Sequence, residues 1–193
     1  MAHKAGQCSC HSGETKNFAP ITIRTRRPKA KLPKSIKVAK ADEAIFRRVI
    51  EAAKKACENA YQPYSQYSVG AAALTFDGQI YTGFNIENCG YSQTIHAEEA
   101  AITGALNDGL LKRAAAQGLD QFHAILAVAV YAPKGSDPWP CCNCRQFMGE
   151  FGYGMHVIGE EPKDGSILCL TLDQLVPYAF PIEEVLRSVR GQR

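Results

Sequence analysis

Two short motifs in this 193-residue chain carry side chains that can hold a metal and move a proton: His96-Ala97-Glu98 and, well downstream, Pro140-Cys141-Cys142-Asn143-Cys144. The imidazole of His96 and the thiolates of Cys141 and Cys144 suit Zn2+. Three protein ligands leave the fourth tetrahedral position open, which separates catalytic zinc from closed structural zinc. A Cys-x-x-Cys pair alone is ambiguous, because it also serves structural zinc and redox motifs. A redox pair needs no distant His-x-Glu, so the combination points to one catalytic Zn2+ per chain, with Glu98 as an unligated carboxylate beside it.

Both motifs have to be positioned by the elements around them. Asp42 is an N-cap signal, and Ile45, Phe46, Val49, Ile50, Ala53 and Cys57 recur at helical spacing, so a first helix is expected to run to about Asn59. Residues 68–76 and 79–86 read as strands joined by the hairpin signal Asp77-Gly78. Residues 90–94 form a loop in which Thr94 is placed to cap a helix over 95–106, with His96 and Glu98 in its first turn. Residues 122–131 are a β-favouring apolar run. Residues 141–151 then read as a helix closed by Gly152, so Cys141 and Cys144 lie one turn apart on one face. Its electropositive start is expected to favour the thiolates. Strands over 155–158 and 166–172 and a helix over 181–190 complete the chain. The order implies an α/β fold: a three-layer α-β-α arrangement on a mixed five-stranded sheet.

Composition bounds the function classes. The chain is long enough for one core plus an appendage, and its longest strongly apolar stretch, residues 124–132, is far short of a membrane span, so no membrane partner is expected. The first residues lack the apolar run of a secretory signal and two cysteines are assigned as zinc thiolates, so the expected compartment is the cytoplasm. Residues 1–40 carry ten Lys or Arg against one acid, Glu14, whereas residues 41–193 carry twelve against eighteen. The expected organisation is therefore a basic, flexible N-terminal extension over 1–40 and a catalytic domain over 41–193. A solvated arm is the commoner outcome for such a segment, so no nucleic-acid partner is expected. The Cys8-Ser9-Cys10-His11 cluster is too short to close a metal site by itself.

Further residues carry a resemblance. Tyr64-Ser65-Gln66-Tyr67-Ser68-Val69-Gly70-Ala71-Ala72, Asn85-Ile86-Glu87-Asn88, the two zinc motifs with Arg145-Gln146, and Val176-Pro177-Tyr178-Ala179-Phe180 together resemble the cytidine deaminases over about residues 45–190. The resemblance implies the deaminase fold, Zn2+ as cofactor and a free nucleoside as substrate, since deaminases of tRNA or single-stranded DNA lack the upstream pair of motifs. It also implies roles. Asn85 and Glu87 match the residues that grip the ribose 3'-hydroxyl, and Tyr67 stands where a phenylalanine usually stacks on the base. The Ala97 N–H matches the donor to the pyrimidine O2. Tyr91 and Phe180 match aromatics that a neighbouring subunit lends to the site, which implies a homotetramer, with a homodimer as the alternative. Glu98 matches the residue that moves the water's proton to N3 and then to the departing amino group.

The implied reaction is hydrolysis of cytidine and deoxycytidine to uridine and deoxyuridine plus ammonia, a step of pyrimidine salvage. Alternatives are a deaminase of a modified cytosine nucleoside such as blasticidin S, or a polynucleotide-directed or nucleic-acid-binding protein recruited by the basic arm. The chain also departs from the small tetrameric members, which usually have Cys-Ala-Glu-Arg where it has His96-Ala97-Glu98-Glu99. Three thiolates leave zinc with a net charge that an arginine offsets; one neutral histidine and two thiolates do not, so His96 and Glu99 read as a compensated pair. Trp139 stands where a small residue is common, in a loop somewhat longer than usual, and Cys142 replaces a glycine.

Overall fold

The computed structural model describes residues 43–135 and 139–189; the Asp42 cap, the basic segment 1–40, the Cys8-Cys10 cluster and Arg190 lie outside the described residues. Helix α1, Glu43–Cys57, buries Val49, Ile50, Ala53 and Cys57 of the stripe that the helical spacing specified, together with Ala56, and leaves Ile45 and Phe46 partly buried. It ends at Cys57, where Glu58 and Asn59 tighten into a turn through bonds to Lys55 and Ala56.

Strands β1, Gly70–Thr75, and β2, Ile80–Phe84, form the hairpin over Asp77-Gly78, where Gly78 takes a left-handed φ of 80°. Helices α2, Ala97–Asn107, and α3, Leu110–Ala116, follow; α3 is an addition to the sequence reading. Then come a 3-10 turn over Gln121–His123 that takes the start of the expected strand, β3 over Ile125–Tyr131, α4 over Cys142–Gly149, β4 over His156–Glu160 and β5 over Ile167–Thr171. The short α5, Leu172–Leu175, and α6, Ile182–Val189, end the described chain.

The five-stranded sheet has the order β2-β1-β3-β4-β5. β1 is antiparallel to both β2 and β3, β3 and β4 are parallel, and β4 and β5 are antiparallel, so the sheet is mixed as expected. Because β2 and β3 both oppose β1, they run in the same direction. The connections β2 to β3, through α2 and α3, and β3 to β4, through α4, are therefore crossovers, and crossovers of one hand put their helices on one face. The packing agrees: Ala71, Ala73, Val128 and Val130 join α2, α3 and Met148 of α4 in one core, while Ala72, Leu74, Ala127 and Ala129 meet α1 in the other.

This topology brings the two motifs together. Phe84 and Tyr131, the last residues of β2 and β3, both pair with Gly70, so the two strand ends lie level on either side of β1. The segments leaving them lead to the starts of α2 and α4 at the same edge of the sheet, where open α/β sheets place their sites. Small residues keep α2 close: a Cβ on Gly83 would collide with the backbone of Ala97 and Ala101.

Candidate metal centre and active site

Helix α2 starts two residues later than the expected Thr94 cap. Ile95 pairs with Ile86 in an antiparallel bridge, which keeps residues 94–95 extended and makes His96 the N-cap, with φ −82° and ψ 153°. Cys141 is likewise the N-cap of α4 rather than its first helical residue. Gly152 lies beyond the C-cap Glu150; its left-handed φ of 113° serves instead a close approach to the Phe122 carbonyl.

At these two helix starts His96, Cys141 and Cys144 converge. His96 Nδ1 lies 3.5 Å from Cys141 Sγ and 3.3 Å from Cys144 Sγ, and the two sulfurs are 3.6 Å apart. A tetrahedral zinc with bonds of about 2.3 Å to sulfur and about 2.0 Å to nitrogen requires sulfur–sulfur and sulfur–nitrogen edges of about 3.8 and 3.5 Å. The donor triangle thus has the size of a zinc face. The sulfurs are too far apart for a disulfide, whose bond is about 2.05 Å.

Charge supports the same fit. Cys144 is fully buried, and burial, followed by the neighbouring Glu98 carboxylate and Cys141, pushes its thiol far above the ordinary range. These causes act against the Cys144 thiolate that the helix start was expected to favour. A dication reverses that balance, since a coordinating thiol loses its proton outright.

Glu98, at the second helical position of α2, is buried to 4% exposure, and that burial raises its carboxyl above the ordinary range against the opposing hydrogen bonds of its own amide and Cys144. Ala97 occupies the first helical position, where helix geometry gives an N–H no intrahelical acceptor. Glu99 accepts from the His96 backbone N–H at 3.3 Å and from the Asn143 side chain at 2.8 Å. It therefore turns to backbone and amide donors.

Asn85 and Glu87, the pair expected to grip the ribose, lie just beyond the end of β2. Asn85 N–H donates to Val69, Glu87 N–H to Tyr61, and Ile86 between them bridges to Tyr61, so all three stay extended and both side chains reach the loop over 64–69. Asn85 is buried; its Oδ1 accepts from the Val69 N–H and its Nδ2 donates to the Tyr67 carbonyl, each at 2.9 Å. A second amide hydrogen and a second lone pair remain for a ligand. Glu87 Oε2 accepts from the Tyr64 and Ser65 N–H groups at 2.9 and 3.1 Å. The Ser65 hydroxyl first, then these amides, hold its carboxyl below the ordinary range, so it remains an acceptor.

Tyr67 is 39% exposed, with its hydroxyl against Gly135, where an added Cβ would come within 2.7 Å of it. Tyr91 and Phe180 are open to solvent, at 74% and 60%, and Tyr91 meets Tyr64 with ring centroids 6.0 Å apart. Glu87, Tyr64, Ser65, Asn88, Tyr91 and Thr94 line a shallow cavity. Two residues were not singled out for a site role in the sequence. Asn143 meets Glu99, and Arg145 braces the metal loop through the Pro140 and Leu175 carbonyls at 2.7 and 3.1 Å. Only the position of Asn143 between the candidate ligands Cys141 and Cys144 hinted at this contact. Trp139 is half-buried against the helical face of the core that includes Met148.

Residues 45–160 match the family described as the cytidine and deoxycytidylate deaminase zinc-binding region. The chain is 38% identical over 138 residues to a cytidine deaminase of Sporosarcina psychrophila, covering 72% of this chain and 93% of that one. Among solved structures, the cytidine deaminase of Burkholderia pseudomallei is similar at 35% identity, with 69% of this chain and 98% of that one covered and a TM-score of 0.55. The Mycobacterium tuberculosis cytidine deaminase follows at 33% identity, with 70% and 96% covered and a TM-score of 0.53.

Proposed function

Since the chain belongs to the cytidine and deoxycytidylate deaminase zinc-binding family, we propose that it hydrolyses cytidine and deoxycytidine to uridine and deoxyuridine with release of ammonia, in pyrimidine salvage. The observation that carries this reading is the convergence of His96 Nδ1 and the sulfurs of Cys141 and Cys144 beside the buried, unligated Glu98. Those three atoms hold one Zn2+ per subunit. Bound there, the ion supplies the Lewis acidity that makes water a nucleophile near neutral pH.

The chain's own groups do the rest. Glu98 takes one proton from the attacking water as its oxygen bonds to C4 of cytosine, and delivers that proton to N3. It then carries the second water proton to the amino nitrogen as the C4–N bond breaks, so that ammonia leaves and a C4 carbonyl remains. Burial of Glu98 keeps bulk water from competing for these protons. The Ala97 N–H donates to the pyrimidine O2. Glu87 accepts from the ribose 3'-hydroxyl, Asn85 contributes its remaining amide hydrogen, and Tyr67 lies along the base. Tyr91 and Phe180 complete the sites of neighbouring subunits in a homotetramer, and the cytoplasm is the compartment proposed.

A substrate panel tests this reading. Purified protein is offered cytidine, deoxycytidine, blasticidin S and a cytosine-containing single-stranded oligonucleotide, with conversion followed by the ultraviolet change and product analysis. Turnover of the two free nucleosides, with neither of the others used appreciably, is the expected result. Preference for blasticidin S or editing of the oligonucleotide would overturn it.

A further inference from the structure

Glu99 holds no metal, yet both of its carboxylate oxygens are engaged. Oε2 accepts from the backbone N–H of His96 at 3.3 Å, and Oε1 accepts from the Asn143 side-chain amide at 2.8 Å. The two donors come from opposite halves of the donor set. His96 is the N-cap of α2 and supplies the imidazole; Asn143 lies in the first turn of α4, next to Cys144 and two residues after Cys141. Among the described residues, and apart from contacts among the three metal-binding side chains and Glu98, this is the hydrogen bond that joins the two helix starts.

The remaining forces there do not favour assembly. Two sulfurs, one of them buried, and the buried Glu98 side chain are brought together there, and sulfur forms only weak hydrogen bonds. Glu99 instead accepts from two N–H donors at once, one on each side of the donor set. The geometry points to Glu99 and Asn143 as a clasp: two positioning residues that hold the start of α2 against the start of α4 at ligand separation and thereby set Zn2+ affinity. Glu99 is half-buried and Asn143 exposed, so the pair adds little to global stability and acts locally. The inference rests on the reading that His96, Cys141 and Cys144 hold the ion.

Zn2+ affinity by chelator competition, with the electronic spectrum of the Co2+-loaded protein as a geometric readout, tests the clasp. The forms are wild type, Glu99→Ala, Asn143→Ala, the double variant and Glu99→Gln. Each alanine variant is expected to weaken Zn2+ about tenfold, the usual scale for removing a group that orients a ligand. The double variant should lose no more than Glu99→Ala, because the Glu99–Asn143 bond is already gone in that single variant. The Glu99→Gln side chain can accept from the His96 N–H and donate to a turned Asn143 amide, so it should bind Zn2+ close to wild type. Thermal midpoints of the metal-free forms should coincide. Unchanged affinity in the alanine variants would overturn the clasp, as would a double loss equal to the product of the single losses, or Glu99→Gln binding as weakly as Glu99→Ala. Midpoints of the metal-free alanine variants far below wild type would also overturn it, by making the effect global. A wild type that binds no Zn2+ would remove the metal reading and the clasp together, whereas tight wild-type binding with unaffected variants removes only the clasp.

Discussion

Glu98 and Glu87 are both glutamates, and their surroundings push them in opposite directions. Burial raises Glu98, so the folded chain binds that proton more tightly than the unfolded chain does. Its contribution is most favourable below the unfolded value, about 4.3, and is lost as pH rises above it toward the folded value. In metal-free protein, Glu98→Gln should therefore melt at a higher temperature than the parent at pH 8, with the gap closing toward pH 4. A gap independent of pH would contradict this. Glu87 is held below the ordinary carboxylate range by the Ser65 hydroxyl and by the amides of Tyr64 and Ser65, so it loses its charge at a lower pH than an unpaired glutamate would. Glu87→Ala should raise the KM for cytidine about tenfold or more while lowering kcat less. An equal fall in kcat and kcat/KM would place Glu87 in the transition state only. The three side chains that converge at the candidate metal centre were legible from sequence, because donor chemistry is a property of the side chain itself. The high Cys144 thiol, the double engagement of Asn85 and the part played by Asn143 were not, because each depends on what packs beside the group.

The helices and strands were legible where local pattern decides. The Asp77-Gly78 hairpin and the apolar stripe of α1 follow from turn chemistry and helical spacing. The start of α2 was read too early because the Ile86–Ile95 bridge, a long-range pairing, overrides the capping preference of Thr94. Helix α3 was missed: Gly109, in a left-handed conformation at φ 79°, interrupts the pattern before burial of Leu110 and Ala114 restarts the helix. Two glycines separate the layer that carries His96 from the one that does not. A methyl group on Gly83 would press on the backbone of Ala97 and Ala101, and one on Gly70 on the backbone of Ala53 and Cys57. Each alanine substitution should cost about 1–3 kcal/mol in denaturant unfolding, the scale of overpacking. Gly83→Ala should also weaken Zn2+ binding by displacing α2, and Gly70→Ala, which displaces α1, should not. Equal effects on Zn2+ would show that the two layers are not separable in this way.

Among the described residues several aromatic side chains are open to solvent, including Tyr64, Tyr91, Tyr178 and Phe180. If neighbouring subunits lend Tyr91 and Phe180 in the proposed tetramer, a mixed assembly of Phe180→Ala and Glu98→Gln chains should regain part of the activity that each lacks alone. No recovery in a verified mixed assembly would mean that each site is completed within one subunit. The three layers and the mixed sheet were legible from element order, whereas assembly was not, since an exposed aromatic and a core aromatic read alike in a sequence. The family match spans residues 45–160, and the basic segment 1–40 lies outside it. The central claim is that His96, Cys141 and Cys144 hold zinc while Glu98 moves the protons. Its most direct test is zinc content measured together with cytidine-to-uridine turnover in wild type and Glu98→Gln. The account predicts stoichiometric zinc in both and a fall in turnover of about a hundredfold to ten-thousandfold in the variant; unchanged turnover, or a wild type active without zinc, would contradict it.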